Sequence, residues 1–214
     1  MHRMRPLLIG LGLFPSAWAR RSGGAGRLAE NRAILVTGDL RCGKTTLVET
    51  CLAYLEGRDV RIAGILAKGL WKDDLRTGFD LVNLADTSVT PLARRRSRPD
   101  PSRKMMFDFL EDGIKAGDRA LDPRICGPAD LVVVDEVGKL EARGEGWAAH
   151  ISALLAIDGP LFLLVCRLDC LQRIQNVFGL QKALVIDARA PRALDRLCAA
   201  VKRMMRTPVK PPGR

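Results

Sequence analysis

The chain has 214 residues, of which 47% are apolar and 5% aromatic, and carries a formal net charge of +11. That length suits one domain with a substantial core, and the ordinary composition excludes a fibrous or low-complexity protein. The basic excess is concentrated at the two ends, which reads as solvated tails with at most weak attraction to RNA or an anionic membrane, because a nucleic-acid face needs interleaved aromatics.

Residues 1–31 carry Arg3, Arg5, Arg20, Arg21 and Arg27 against Glu30 alone. Leu7 to Phe14 is an apolar run, and Ala17-Trp18-Ala19 has the small-x-small form of a leader cleavage site. The run is too short to span a bilayer, so no stable membrane insertion is expected. A flexible extension, or an over-long start, is the expectation for 1–31, with a Gly-rich joint at Ser22 to Gly26.

Ala33 to Val36 is an apolar strand candidate leading into Gly38-Asp39-Leu40-Arg41-Cys42-Gly43-Lys44-Thr45-Thr46. Gly38, four residues, then Gly43-Lys44-Thr45 is the G-x-x-x-x-G-K-[ST] phosphate loop, between a strand and an amphipathic helix. The glycines permit backbone conformations that bring successive N–H groups onto phosphate oxygens. Lys44 would supply a point charge to the β- and γ-phosphates, and the Thr45 hydroxyl a ligand for Mg²⁺. Lys44 to Leu55 reads as the helix that follows, with Gly57 as its stop.

Val60 to Ala67 and Thr77 to Leu84 are strand-like runs around an Asp-rich turn, which predicts an antiparallel hairpin. Thr87 to Pro101 reads as a loop. Its Arg94-Arg95-Arg96-Ser97-Arg98 run is either a solvated stretch or an element that closes over phosphates. Met106 to Leu121 is helical in pattern, although Gly113 and Gly117 weaken it.

Leu131-Val132-Val133-Val134-Asp135-Glu136 is a buried-strand pattern ending in two acids. Downstream of a phosphate loop, Asp135 is the expected Mg²⁺ partner, acting through water, and Glu136 the residue that orients the attacking water. Gly138 allows a sharp turn. Lys139 and Glu141 read as a switch-like ion pair or as a polar turn, with Glu141 assigned to the second. A helix over 146–155, a strand over 161–165, a helix over 168–178, a strand over 183–186 and a helix over 191–205 complete the chain. Arg167, just past the fourth buried run, is a candidate charge-stabilising arginine.

The repeating β–loop–α order predicts an α/β fold: a mostly parallel sheet covered on both faces, with an antiparallel hairpin beside it. Ligands bind such sheets where loops leave the strand C-termini, and Gly38–Thr46, Asp135, Gly138 and Arg167 fall on that edge. The expected organisation is an extension over 1–31, a P-loop NTPase domain over 32–206 and a basic tail over 207–214. The six cysteines lie outside C-x-x-C pairs, and His2 and His150 are the only histidines. That argues against a zinc site or disulfide framework and suits reduced thiols in a cytoplasmic protein.

The phosphate loop, the hairpin segment Arg76-Thr77-Gly78-Phe79-Asp80, the segment Val134-Asp135-Glu136-Val137-Gly138-Lys139-Leu140-Glu141 and the following Gly144-Glu145-Gly146-Trp147 resemble the THEP1-type nucleoside-triphosphatases. The resemblance covers about residues 31–190 and implies Mg²⁺-dependent hydrolysis of nucleoside triphosphates to diphosphate and phosphate with little base preference. The chain also contains no Asn-Lys-x-Asp segment of the kind that reads guanine. Arg41-Cys42 within the loop, the Arg94–Arg98 run and the N-terminal extension depart from the family pattern. Two other functions use the same residues: a small-molecule or nucleotide kinase with Arg94–Arg98 as its lid, and a nucleotide-dependent adaptor that engages a protein partner.

Overall fold

The computed structural model describes residues 32–97 and 106–206. The leader-like segment, the Gly-rich joint, Arg98 and the 207–214 tail lie outside the described residues. The elements, in chain order, are β1 (Ala33–Thr37), α1 (Lys44–Ala53), β2 (Ile62–Lys72), β3 (Leu75–Asn83), β4 (Val89–Arg95), β5 (Phe107–Phe109), α2 (Glu111–Ala120), a single turn α3 (Pro123–Cys126), β6 (Leu131–Val137), α4 (Ala148–Leu155), β7 (Leu161–Cys166), α5 (Leu171–Phe178), β8 (Leu184–Asp187) and α6 (Ala193–Arg206). Short 3₁₀ turns occupy Glu141–Arg143 and Leu168–Cys170.

The strands form one eight-stranded sheet in the order β5-β4-β3-β2-β6-β7-β1-β8. From β2 through β6, β7 and β1 to β8 every pairing is parallel, while β2-β3, β3-β4 and β4-β5 are antiparallel. The parallel strands are buried on both faces, so their sequences are continuous apolar runs rather than alternating ones. Alternation instead sorts their side chains between two cores. Leu35, Val134 and Leu164 face the layer made by Ala116, Ile151 and Ile174, whereas Val36, Val133 and Val165 face Val48 and Leu52 of α1 and Leu197 and Val201 of α6. The α/β architecture with helices on both faces is therefore as the sequence predicts.

The antiparallel part is larger than one hairpin. Asp73 and Asp74 both take left-handed φ values, 49° and 59°, which gives the β2–β3 turn the twist a two-residue hairpin needs. The next stretch, expected to be a loop, forms β4. Arg94 pairs with Asp80 at 2.8 Å and also donates to the Phe79 carbonyl. Arg96 pairs with Asp108 across to β5. These arginines hold the antiparallel strands together instead of forming a lid.

The expected helix over Met106 to Leu121 begins later than predicted. Phe107–Phe109 is a strand, and α2 starts at Glu111. Its glycines serve packing: a Cβ on Gly117 would sit 2.2 Å from the Trp147 ring, and one on Gly113 would sit 2.4 Å from the Pro91 carbonyl. The other expected elements lie within a few residues of their predicted bounds. Among the described residues no helix is long and apolar enough to cross a membrane.

Candidate functional site

At the C-terminal end of β1 the backbone leaves the sheet through Gly38 at φ 149° and enters α1 through Gly43 at φ 86°. Gly38 also has no room for a side chain, since a Cβ would sit 2.5 Å from the Cys42 thiol. The intervening residues wrap around Lys44. Its side chain is only 7% exposed, and its ammonium donates to the Gly38 carbonyl at 3.2 Å and the Asp39 carbonyl at 2.8 Å. The N–H groups opening α1 and the buried ammonium make this corner strongly attractive to anions.

β6 delivers the acids to the same corner. Asp135, 1% exposed, pairs opposite Val165, and the register then shifts before Val137 pairs with Cys166. Burial pushes the Asp135 carboxyl up to about 7, even though the Thr45 hydroxyl and the Lys44 ammonium favour its charged form. Glu136 is also pushed up by burial, opposed by the cations Lys44, Arg167 and Arg76. Asp135 Oδ2 and Glu136 Oε1 are both buried with no hydrogen-bond partner. Buried oxygens without partners are costly, and they mark where a further group would be accepted.

Of the residues singled out in the sequence, Leu40, Arg41, Cys42, Gly43, Lys44, Thr45, Thr46 and Glu136 line one cleft of about 330 Å³. Asp135 lies beneath it against Thr45 and Lys44. Asp39 sits on the outer rim, with its carboxylate paired to Arg189 at 3.0 Å. Gly138 follows the acids, and its N–H donates to Glu141 at 2.8 Å. Arg167 follows β7, the strand between β1 and β6, and is close enough to favour the charged form of Glu136. However, its guanidinium is engaged by Asp169 through contacts of 3.0 and 2.6 Å.

Glu141, Trp71 and Arg76 are among the residues at the site that the sequence did not assign to it. Glu141, 5% exposed, is a buried clamp rather than part of a solvated turn, accepting from Gly138 and Trp147. Trp71 and Arg76 reach the cleft from β2 and β3, where they face one another in the hairpin register. The guanidinium carbon of Arg76 lies 4.6 Å from the Trp71 ring centroid and 4.9 Å from that of Phe79, and Arg41 lies 5.3 Å from Trp71. A larger hollow of about 500 Å³, bordered by Leu55, Arg61 and Ile125, lies at the opposite edge of the sheet and holds none of the phosphate-loop residues.

A glycine turn folded over a buried lysine, with an acid-tipped parallel strand beside it, places the molecule among the P-loop proteins of the α/β class. A sequence model described as NTPase matches residues 33–188. The chain belongs to the THEP1-type nucleoside-triphosphatase family. It is 29% identical over 157 residues to nucleoside-triphosphatase THEP1 of Methanosarcina barkeri, an alignment covering 73% of this chain and 88% of that protein. It is 32% identical over 158 residues to the protein of the same name from Archaeoglobus fulgidus, covering 72% and 88%. Its fold is similar to the solution structure of a human cancer-related nucleoside triphosphatase, with a TM-score of 0.62 at 22% identity, covering 82% of this chain and 97% of that one. The crystal structure of THEP1 from Aquifex aeolicus gives 0.61 at 16% identity, covering 82% and 99%.

Proposed function

We propose that this nucleoside-triphosphatase hydrolyses nucleoside triphosphates to diphosphate and inorganic phosphate with Mg²⁺ and broad base preference. The observation that carries the reading is the convergence of Lys44, Thr45, Asp135 and Glu136, nearly a hundred positions apart at the extremes, in one corner of the sheet. The donor set suits Mg²⁺: a hydroxyl and a carboxylate with a partnerless buried oxygen are the hard oxygen ligands that this ion prefers. The named groups of the relatives point to the same triphosphate substrates.

Thr45 and Asp135 would hold the ion, which would supply positive charge to offset that of the phosphates. The loop N–H groups and Lys44 bind the β- and γ-phosphates, so Lys44 would exchange its carbonyl contacts for phosphate oxygens. Glu136 accepts a hydrogen bond from a water and aims its oxygen at the γ-phosphorus. A bond forms from that oxygen to phosphorus as the bond to the β–γ bridging oxygen breaks. The electron pair leaves with the diphosphate, and the water proton passes by way of Glu136 to the released phosphate or to solvent.

The kinase reading is less favoured, because two of the four arginines of its expected lid, Arg94 and Arg96, are engaged by Asp80 and Asp108. The need for triphosphates, together with six free thiols, supports a cytoplasmic setting. The test is to incubate the protein with Mg²⁺ and each of the four common nucleoside triphosphates and follow free phosphate, with Lys44→Ala as control. Release from several triphosphates, lost in the variant, is expected. Tight binding without release, or release only when a partner protein is added, would replace this reading with the adaptor.

A further inference from the structure

We infer that Arg76, carried into the cleft by the β2–β3 hairpin, contacts the γ-phosphate oxygens and stabilises the charge that develops on them during hydrolysis, making it a catalytic residue of this site. The inference rests on the hydrolytic reading and names the charge-stabilising group that the reading leaves open.

Three observations carry it. First, Arg76 is held by rings rather than by an acid. Its guanidinium carbon lies over the faces of Trp71 and Phe79, and no ion pair with a carboxylate is made within 4 Å among the described residues. A π face attracts a cation without taking up its N–H donors, whereas a carboxylate would occupy the fork that a phosphate needs. Second, its Nε is buried with no hydrogen-bond partner, in a cleft shared with Lys44, Thr45 and Glu136. Burial lowers the tendency of the guanidinium to stay charged, and Glu136 and Asp135 oppose this from the same cleft. A half-buried cation with one buried nitrogen lacking a hydrogen-bond partner, beside the acids, is suited to an incoming polyanion. Third, Gly69 on the facing strand leaves room for the guanidinium where it lies, because a Cβ there would crowd Arg76 Nε at 3.2 Å and Nη2 at 3.3 Å.

Arg167 is a poorer candidate. Asp169 already engages two of its nitrogens, so recruiting it would break an existing charge-assisted pair. Arg76 needs no such exchange. It is preorganised, which is how electrostatic stabilisation of a transition state is obtained without reorganisation during the reaction.

The experiment measures kcat by phosphate release and nucleotide Kd by titration for the wild-type chain, Arg76→Ala, Arg76→Lys and Arg167→Ala. Arg76→Ala is expected to lose on the order of a hundredfold or more in kcat with Kd within about fivefold. Millimolar guanidinium should restore part of that activity and none in Arg167→Ala. Arg76→Lys keeps a cation between the rings, so it should melt like the wild type and still lose about tenfold, because an ammonium lacks the planar fork. Wild-type turnover in either Arg76 variant overturns the inference while hydrolysis stands. So does a loss that guanidinium does not restore, or a Kd that weakens in step with kcat. No phosphate release from the wild-type chain overturns the hydrolytic reading and this inference together.

Discussion

The Glu141 carboxylate joins the two ends of the loop that follows the acid-tipped strand: Oε2 accepts the Gly138 N–H at 2.8 Å and Oε1 the Trp147 N–H at 3.2 Å. Glu141 itself is buried, and Gly146 lies so close that a Cβ there would come within 2.4 Å of Oε1. Gly138 is two residues past Glu136, so this clamp restrains the backbone just beyond the strand that carries Glu136. Replacing Glu141 by Ala leaves two N–H groups without their acceptor, and Glu141→Ala should lower unfolding free energy by about 2–3 kcal/mol. Chemical denaturation measures that loss. Phosphate release should fall in the variant even at temperatures where it remains folded, and full turnover there would show that the clamp supports the fold alone.

Glu136→Gln keeps the volume of the side chain and removes its ability to take a proton. If the acid orients and deprotonates water, the variant should bind nucleotide like the wild type and turn over roughly a hundredfold more slowly. Equilibrium binding beside single-turnover phosphate release separates the two effects. Unchanged turnover would take Glu136 out of the chemistry and leave it as one of the cleft walls.

Gly64 lies inside β2 at φ 99°, and a Cβ built there would sit 2.0 Å from the Val133 carbonyl of the neighbouring strand β6. Any side chain would have to push two paired central strands apart as well as adopt a disfavoured backbone angle. Gly64→Ala should therefore cost about 3 kcal/mol or more and melt many degrees below the wild type. A melting temperature within a few degrees of wild type would mean that the pair yields easily at this point.

The parts of this molecule that were legible in the sequence are those encoded by adjacent residues. Gly38–Thr46 and Leu131–Glu136 each contain their own geometry, and buried parallel strands announce themselves as apolar runs. What was lost depends on partners distant in the chain. Thr87 to Ser97 looks like a polar loop until Asp80 and Asp108 are seen to pair with Arg94 and Arg96, which makes an edge of the sheet from charged residues. Phe107, Leu110 and Ile114 have helical spacing, yet Phe107 and Phe109 also alternate as a strand, and pairing with β4 decides between the two. Arg76 belonged to a motif quoted for its resemblance, but its place in the site follows from standing opposite Trp71 in the hairpin register. Glu141 looked like a turn acid because nothing local shows that Gly138 and Trp147 bend back onto it.

The cysteines offer a probe that does not depend on turnover. Cys42 is half-buried inside the phosphate loop, whereas Cys126 and Cys166 are fully buried, and burial pushes their thiols up to about 11 and about 12. Brief treatment of the native protein with a maleimide near pH 7.5 should label Cys42 and spare Cys126 and Cys166, since the thiolate is the reactive form. Saturating nucleotide with Mg²⁺ should slow labelling of Cys42 several-fold, read by peptide mass; an unchanged rate would place the nucleotide elsewhere. The same burial sets an alkaline limit. Unfolded thiols ionise near 9.0, so between that pH and about 12 the unfolded chain holds fewer protons than the folded one. The contribution is fully present below pH 9 and declines as pH rises, by about 1 kcal/mol per pH unit for a thiol as shielded as Cys166. Denaturation midpoints taken from pH 8 to 10.5 should fall more steeply in the wild type than in Cys166→Ala, and parallel slopes would show that this thiol ionises alike in both states.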